Sequence, residues 1–191
     1  TVHARPGDWL YAFIGFFAGG GLVLDGRLYP GRRGAAAALG SLPLTGAAGV
    51  AEPLLTTASL ARLEDRLQAE GLPSASLWHA PEGWDVPDAL LQDWLADCAE
   101  ALAQAALAAK ALLDIEALVI DGWMPAALRQ RLVEATEAVL APYRPRDALT
   151  PGLRDLAGLE PPLVLAGTIG PEARALGAAA LPLRQRFMLE R

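Results

Sequence analysis

Residues whose types could do chemistry gather early in the chain, in FIGFFAGGGLVLDGRLYPGRRGAAAALGS over 13–41. Gly15, Gly19, Gly20 and Gly21 would let a main chain approach a phosphate closely and turn its N–H donors towards it. Phosphate binding of this kind also wants a hydroxyl and a second Cβ-free residue, and the chain offers Phe16 and Phe17 there. Arg27, Arg32 and Arg33 make the nearest thing to a basic patch; in so glycine-rich a stretch they read as surface charge rather than ligand contacts. His3 and His79 stand isolated in expected coil and read as neither metal ligands nor bases. Cys98 falls on an apolar helix face as a buried, inert thiol. Glu52, Glu64, Asp65 and Glu70 read as solvated charge, and no two carboxylates have a spacing that suggests an acid–base pair.

The elements that must position these residues follow from periodicity and turn chemistry. Residues 9–14 are an apolar, aromatic run that suits a buried strand. A second run at 21–24 and a third at 27–29 flank Asp25 and Gly26, a dipeptide suited to the type I′ turn of a hairpin. Residues 39–44 could add a short strand, and 45–57 read as a loop. Ser59 can cap a helix that Gly71 stops, with Leu60, Leu63 and Leu67 on one face. Residues 72–87, with three prolines, read as irregular. From Asp88 to about Asp114 a long helix is expected, its face carrying Leu91, Trp94 or Leu95, Cys98, Leu102, Ala105, Ala109 and Leu112. A strand at 117–120 should lead into a turn at Asp121 and Gly122. Pro125 should open a further helix to about Leu140. A strand at 162–166 should close at Gly167, and Pro171 should start a helix through Ala180. Helices alternating with strands make this α/β architecture, whose ligands usually bind at the strand C-termini.

Composition narrows the functions. The apolar fraction of 53% and charged fraction of 20% fit a globular core, and the net charge of −6 argues against nucleic-acid binding by this segment. One cysteine excludes an internal disulfide and a cysteine-based zinc cluster, and fits a cytoplasmic setting. No apolar run is long enough to span a bilayer.

Taken in order, four stretches resemble the ROK family, named for repressors, open reading frames and kinases. The glycine-rich stretch resembles the family's phosphate hairpin and the segment leading to its Glu-x-Gly-His motif. ALAQAALAAKALLDIEALVIDG resembles the helix and strand before its Gly-Gly turn, MPAALRQRLVEATEAVL the helix after it, and PPLVLAGTIGPEARALGAAALPL the closing strand and helix. The resemblance implies an actin-like (ribonuclease H-like) ATPase lobe, a mixed β-sheet flanked by helices. It also implies that 1–191 is the second lobe of a longer two-lobe protein, with 183–191 packing on the first lobe, which in the family carries the catalytic aspartate.

Carried over by position, the resemblance puts the kinases' Gly-Thr-Gly-x-Gly on Gly15, Phe16, Phe17, Ala18 and Gly19. Their Glu-x-Gly-His falls on Ala38, Leu39, Gly40 and Ser41. Ala38 cannot accept hydrogen bonds from a sugar, and Ser41 cannot ligate zinc. Unpaired sugar hydroxyls would cost roughly 1–3 kcal/mol each. The family's zinc segment maps onto LPLTGAAGVAEPLLTTASL, which has no cysteine or histidine. Asp121 and Gly122 replace the Gly-Gly beside the adenine, as a plain turn or as a contact to a different ligand's hydroxyl.

The resulting expectation is an effector-sensing and oligomerisation lobe of a ROK-type transcriptional regulator without kinase chemistry. It would bind no zinc and ATP poorly if at all, take a small-molecule effector such as a carbohydrate, and form a homo-oligomer. DNA would be contacted only through a region outside this chain, and no membrane is involved. The alternatives are an ATP-dependent sugar kinase of the same family and a pseudokinase that binds a non-sugar metabolite. Gly15, Gly19, Gly20, Gly21, Asp121 and Gly122 are the candidate nucleotide-site positions, and Gly40 and Ser41 the candidate effector contacts.

Overall fold

A computed structural model describes residues 6–45, 49–143, 159–173 and 175–176. Its main sheet has the order β3-β2-β1-β6-β7. β1 (Trp9–Ile14) lies at the centre, antiparallel to β2 (Ala18–Leu24) and parallel to β6 (Ala117–Gly122). β3 (Arg27–Leu28) extends the hairpin side, and β7 (Leu163–Ala166) pairs in parallel with β6. The Asp25–Gly26 turn forms as the sequence implies: both residues have positive φ, 52° and 69°, as a type I′ turn requires.

Alternation along the strands sets the core. Leu10, Ala12 and Ile14 of β1, Leu118 and Ile120 of β6 and Val164 of β7 share one buried face. That face joins one apolar cluster with α1 (Leu60–Ala69), α3 (Asp88–Leu113) and α4 (Ala126–Leu140). Ser59 caps α1 by accepting from the Arg62 N–H at 3.2 Å, and Leu60, Leu63 and Leu67 are fully buried. In α3 the alanines at 99, 101, 103, 105 and 106 are all buried, so the helix packs closely on nearly every side in its middle turns.

Five expectations need correction. Residues 39–44 are not one strand: Leu39–Ser41 form a 3₁₀ turn, and β4 (Pro43–Thr45) follows in a separate two-stranded ribbon with β5 (Ala51–Pro53). The chain turns there because Gly40 passes over β2, where a Cβ would sit 2.4 Å from the Ala18 carbonyl oxygen. That ribbon, with a 3₁₀ turn at Leu54–Thr56, also replaces the expected loop at 45–57. The irregular 72–87 stretch contains α2 (Ala75–His79), which places His79 in a helix rather than coil. Leu112 is 82% exposed, because the last turn of α3 runs past the sheet. Asp121 and Gly122 are not a turn; they continue β6 and pair with Phe13 and Ile14. Of the helix expected from Pro171, the described part opens as a 3₁₀ turn at Gly170–Glu172. The rest of that helix, His3 and residues 183–191 lie outside the described residues. No helix among the described residues is long and apolar enough to cross a membrane.

Candidate functional site

The parallel strands β1 and β6 end side by side at Ile14 and Gly122, and the β1–β2 connection crosses above them. Close backbone approach needs glycine here: a Cβ on Gly122 would lie 2.5 Å from the Ile14 carbonyl oxygen. The connection then anchors α1. Leu60 and Ala61 at the helix start donate their N–H groups to the carbonyls of Gly15 and Phe16, at 2.9 and 3.2 Å. Donors that a helix N-terminus would offer to an anion are thereby spent on the hairpin itself.

Beside this connection lies a cleft of about 420 Å³ lined by Tyr11, Phe13, Gly15, Phe16, Phe17, Gly19, Gly20 and Ala173. Phe16 and Phe17 are 47% and 55% exposed and meet edge to face, 4.6 Å between ring centres. Phe16 is backed by Trp78 of α2, at 5.4 Å. The Trp78 indole N–H donates to Glu64 of α1 at 3.0 Å, and Glu64 also accepts from the Ser74 hydroxyl. Glu64 is thus a clamp between two helices and not the solvated charge its sequence position suggests.

A second cleft of about 330 Å³ adjoins the first through Gly19 and Gly20, and includes Ala38, Gly40 and Ser41. The structure therefore brings together the positions onto which the resemblance carries the phosphate hairpin and the sugar motif. Gly20 is fixed by packing, since a Cβ would come within 2.8 Å of both the Leu39 side chain and the Tyr11 carbonyl oxygen. Gly21 lines neither cleft. A larger cavity of about 640 Å³, near Glu52, Arg62, Asp97 and Glu100, shares no lining residue with either; its Asp97 already pairs with Arg66.

Asp121 does not face a cleft. Its carboxylate is fully buried and paired with Arg129 of α4 at 3.0 Å. It also accepts from the Tyr11 hydroxyl at 3.1 Å and from the N–H groups of Gly122 and Gly170 at 2.9 and 3.0 Å. The carboxyl fills the space under Gly167, where a Cβ would lie 2.4 Å from the Asp121 Oδ2. Burial first, then the Asp121 charge and hydrogen bond, push the Tyr11 phenol above its ordinary range, against a smaller opposite pull from Arg129. Cys98 is fully buried near the Thr57 carbonyl, and burial raises its thiol as well, which keeps it protonated and unreactive. Arg27, Arg32 and Arg33 stand exposed. Among the described residues, no three His, Cys, Asp or Glu side chains are grouped so as to hold a metal ion.

The sequence reading missed Tyr11, Phe13, Trp78, Glu64 and Arg129 as parts of this region. Aromatic residues beside a glycine-rich turn are the available signal for Tyr11 and Phe13; the Trp78, Glu64 and Arg129 contacts depend on pairings no local pattern reports.

No protein-family model matches the chain. The uncharacterized protein y4fQ of Sinorhizobium fredii is 29% identical over 93% of the chain, which spans 40% of that protein. The bifunctional enzyme NanE/NanK of Brucella melitensis is 34% identical over 62% of the chain, which spans 23% of it. Among solved structures, a ROK hexokinase from Thermus thermophilus matches 94% of the chain with TM-score 0.59 and 24% identity, the match covering 59% of that protein. A ROK glucokinase from Streptomyces griseus in complex with glucose and AMPPNP matches 93% with TM-score 0.61 and 19% identity, covering 61% of it. A ROK transcriptional regulator, a homolog of the E. coli MLC protein, matches 84% with TM-score 0.55 and 19% identity, covering 41% of it. The chain has the fold these kinases and this regulator share, the actin-like (ribonuclease H-like) fold, with a mixed sheet flanked by helices.

Proposed function

We infer that this chain is the second lobe of a ROK-type transcriptional regulator, a sensing and oligomerisation lobe from which kinase chemistry has been lost. The observation that carries this reading is the pair of Phe16 and Phe17 rings, half-exposed where the kinase hairpin would present a hydroxyl and an open backbone to phosphate. Aromatic rings cannot donate hydrogen bonds to a phosphate, and their faces carry negative potential. One further feature points the same way: the α1 N–H groups at the hairpin are already bonded to its carbonyls. Zinc finds no ligand set in the segment after Ser41, and no step of chemistry is assigned to any residue.

In this reading the lobe answers a small-molecule effector, pairs with further copies of itself, and reaches DNA only through a region outside this chain. The coding sequence upstream of Thr1 tests it: a helix-turn-helix segment is expected there, and an upstream sequence without one would sink the regulator reading.

A second reading is supported by the resemblance to kinases: an ATP-dependent sugar kinase, in which the hairpin binds the nucleotide despite its rings. Coupled measurement of ADP release by the full-length protein, with hexoses and amino sugars supplied in turn, separates the two. Sugar-dependent turnover favours the kinase.

A further inference from the structure

We propose that the cleft at the β1–β2 connection binds an uncharged ring with an apolar face, held by stacking on Phe16 and Phe17. The proposal rests on the sensing-lobe reading above and gives its effector a chemical class.

Four rings, Tyr11, Phe13, Phe16 and Phe17, line one cleft of about 420 Å³, a volume suited to a mono- or bicyclic ligand. Two of these rings are held from behind while their outer surfaces stay open. Glu64 fixes the Trp78 indole at 3.0 Å, Trp78 backs Phe16 at 5.4 Å, and Phe16 meets Phe17 at 4.6 Å. Rings fixed before the ligand arrives lose little freedom on binding, which favours affinity. The floor beside them is backbone. Gly19 would place a Cβ in open space, with no atom within 4 Å, so a flat ligand can lie there without meeting a side chain. A planar aromatic ring and the C–H face of a pyranose share the one property this wall selects, an apolar face presented to an aromatic ring. Both differ from a phosphate chain, which the same wall would exclude.

The test uses the tryptophan fluorescence of the full-length protein, with Trp78→Phe as the control that removes the nearest reporter. Benzyl alcohol supplies an aromatic ring alone, methyl β-glucoside a sugar face alone, and phenyl β-glucoside both. A saturable change with at least one probe, absent in Trp78→Phe, is expected, and the probe that gives it distinguishes aromatic from sugar stacking. Phe17→Leu keeps apolar bulk but removes the ring and should weaken binding about three- to tenfold. Gly19→Leu should abolish it by filling the floor. Failure of all three probes to saturate overturns the proposal, as does unchanged affinity in both variants; a cleft that serves only as a docking face for a partner protein would give that result. Sugar-driven ADP release would refute the loss of kinase chemistry without bearing on ring binding, so the two failures are distinguishable.

Discussion

Asp121 shows how little of a residue's role lies in its immediate neighbours. The dipeptide Asp-Gly signals a hairpin at Asp25, where both residues do adopt positive φ, and the same dipeptide at Asp121 continues a parallel strand. The difference is made by distant partners, the pairing with Phe13 and the Gly170 N–H, together with an arginine in the helix that follows β6. With the Asp121 side chain fully buried and that of Arg129 only 12% exposed, the pair ties β6, α4 and the Gly170 turn together. Removing one member leaves the other charge uncompensated in a site from which water is excluded. Asp121→Ala should therefore lower stability by about 3–5 kcal/mol in urea unfolding. A loss under about 1 kcal/mol would mean that the carboxylate is free for a ligand and not structural.

Elements governed by local chemistry were the legible ones. β1, the Asp25–Gly26 hairpin, the Ser59 cap with its Leu60, Leu63, Leu67 face, and the long α3 all follow from patterns of fewer than eight residues repeated or capped in place. The ribbon of β4 and β5 was not legible, because three-residue strands carry no periodicity, and α2 was hidden among prolines until Glu64 and Trp123 anchored it. The Trp123 indole donates to the Leu77 carbonyl at 2.7 Å, which docks α2 against the β6–α4 junction. Glycines that all count as candidate site positions in the sequence divide by element. Gly40 and Gly122 are pressed against carbonyl oxygens of neighbouring strands, whereas Gly19 faces open space. Gly40→Ala and Gly122→Ala should each cost about 1–3 kcal/mol through overpacking. Gly19→Ala should stay within about 0.5 kcal/mol. Equal effects at Gly19 and Gly40 in thermal unfolding would contradict this division.

On the scale of the whole molecule, the fold was legible because four stretches keep a recognisable order. Of the candidate positions read from the sequence, Gly15, Gly19, Gly20, Gly40 and Ser41 line adjoining clefts, while Gly21, Asp121 and Gly122 line neither. The rings that dominate one cleft entered the sequence reading only as departures from a pattern, because a stacking wall needs Trp78 and Glu64, 61 and 47 or more positions from Phe16 and Phe17, brought up behind them. On the regulator reading proposed above, a hairpin that keeps its turn, its glycine contacts and its hold on α1 but turns two rings to the cleft is retained for shape and no longer serves phosphate transfer. The most direct test of that reading is ADP release by the full-length protein with Mg·ATP and a panel of hexoses and amino sugars. The predicted result is a rate no greater with any sugar than without; sugar-dependent release with any member of the panel would contradict it.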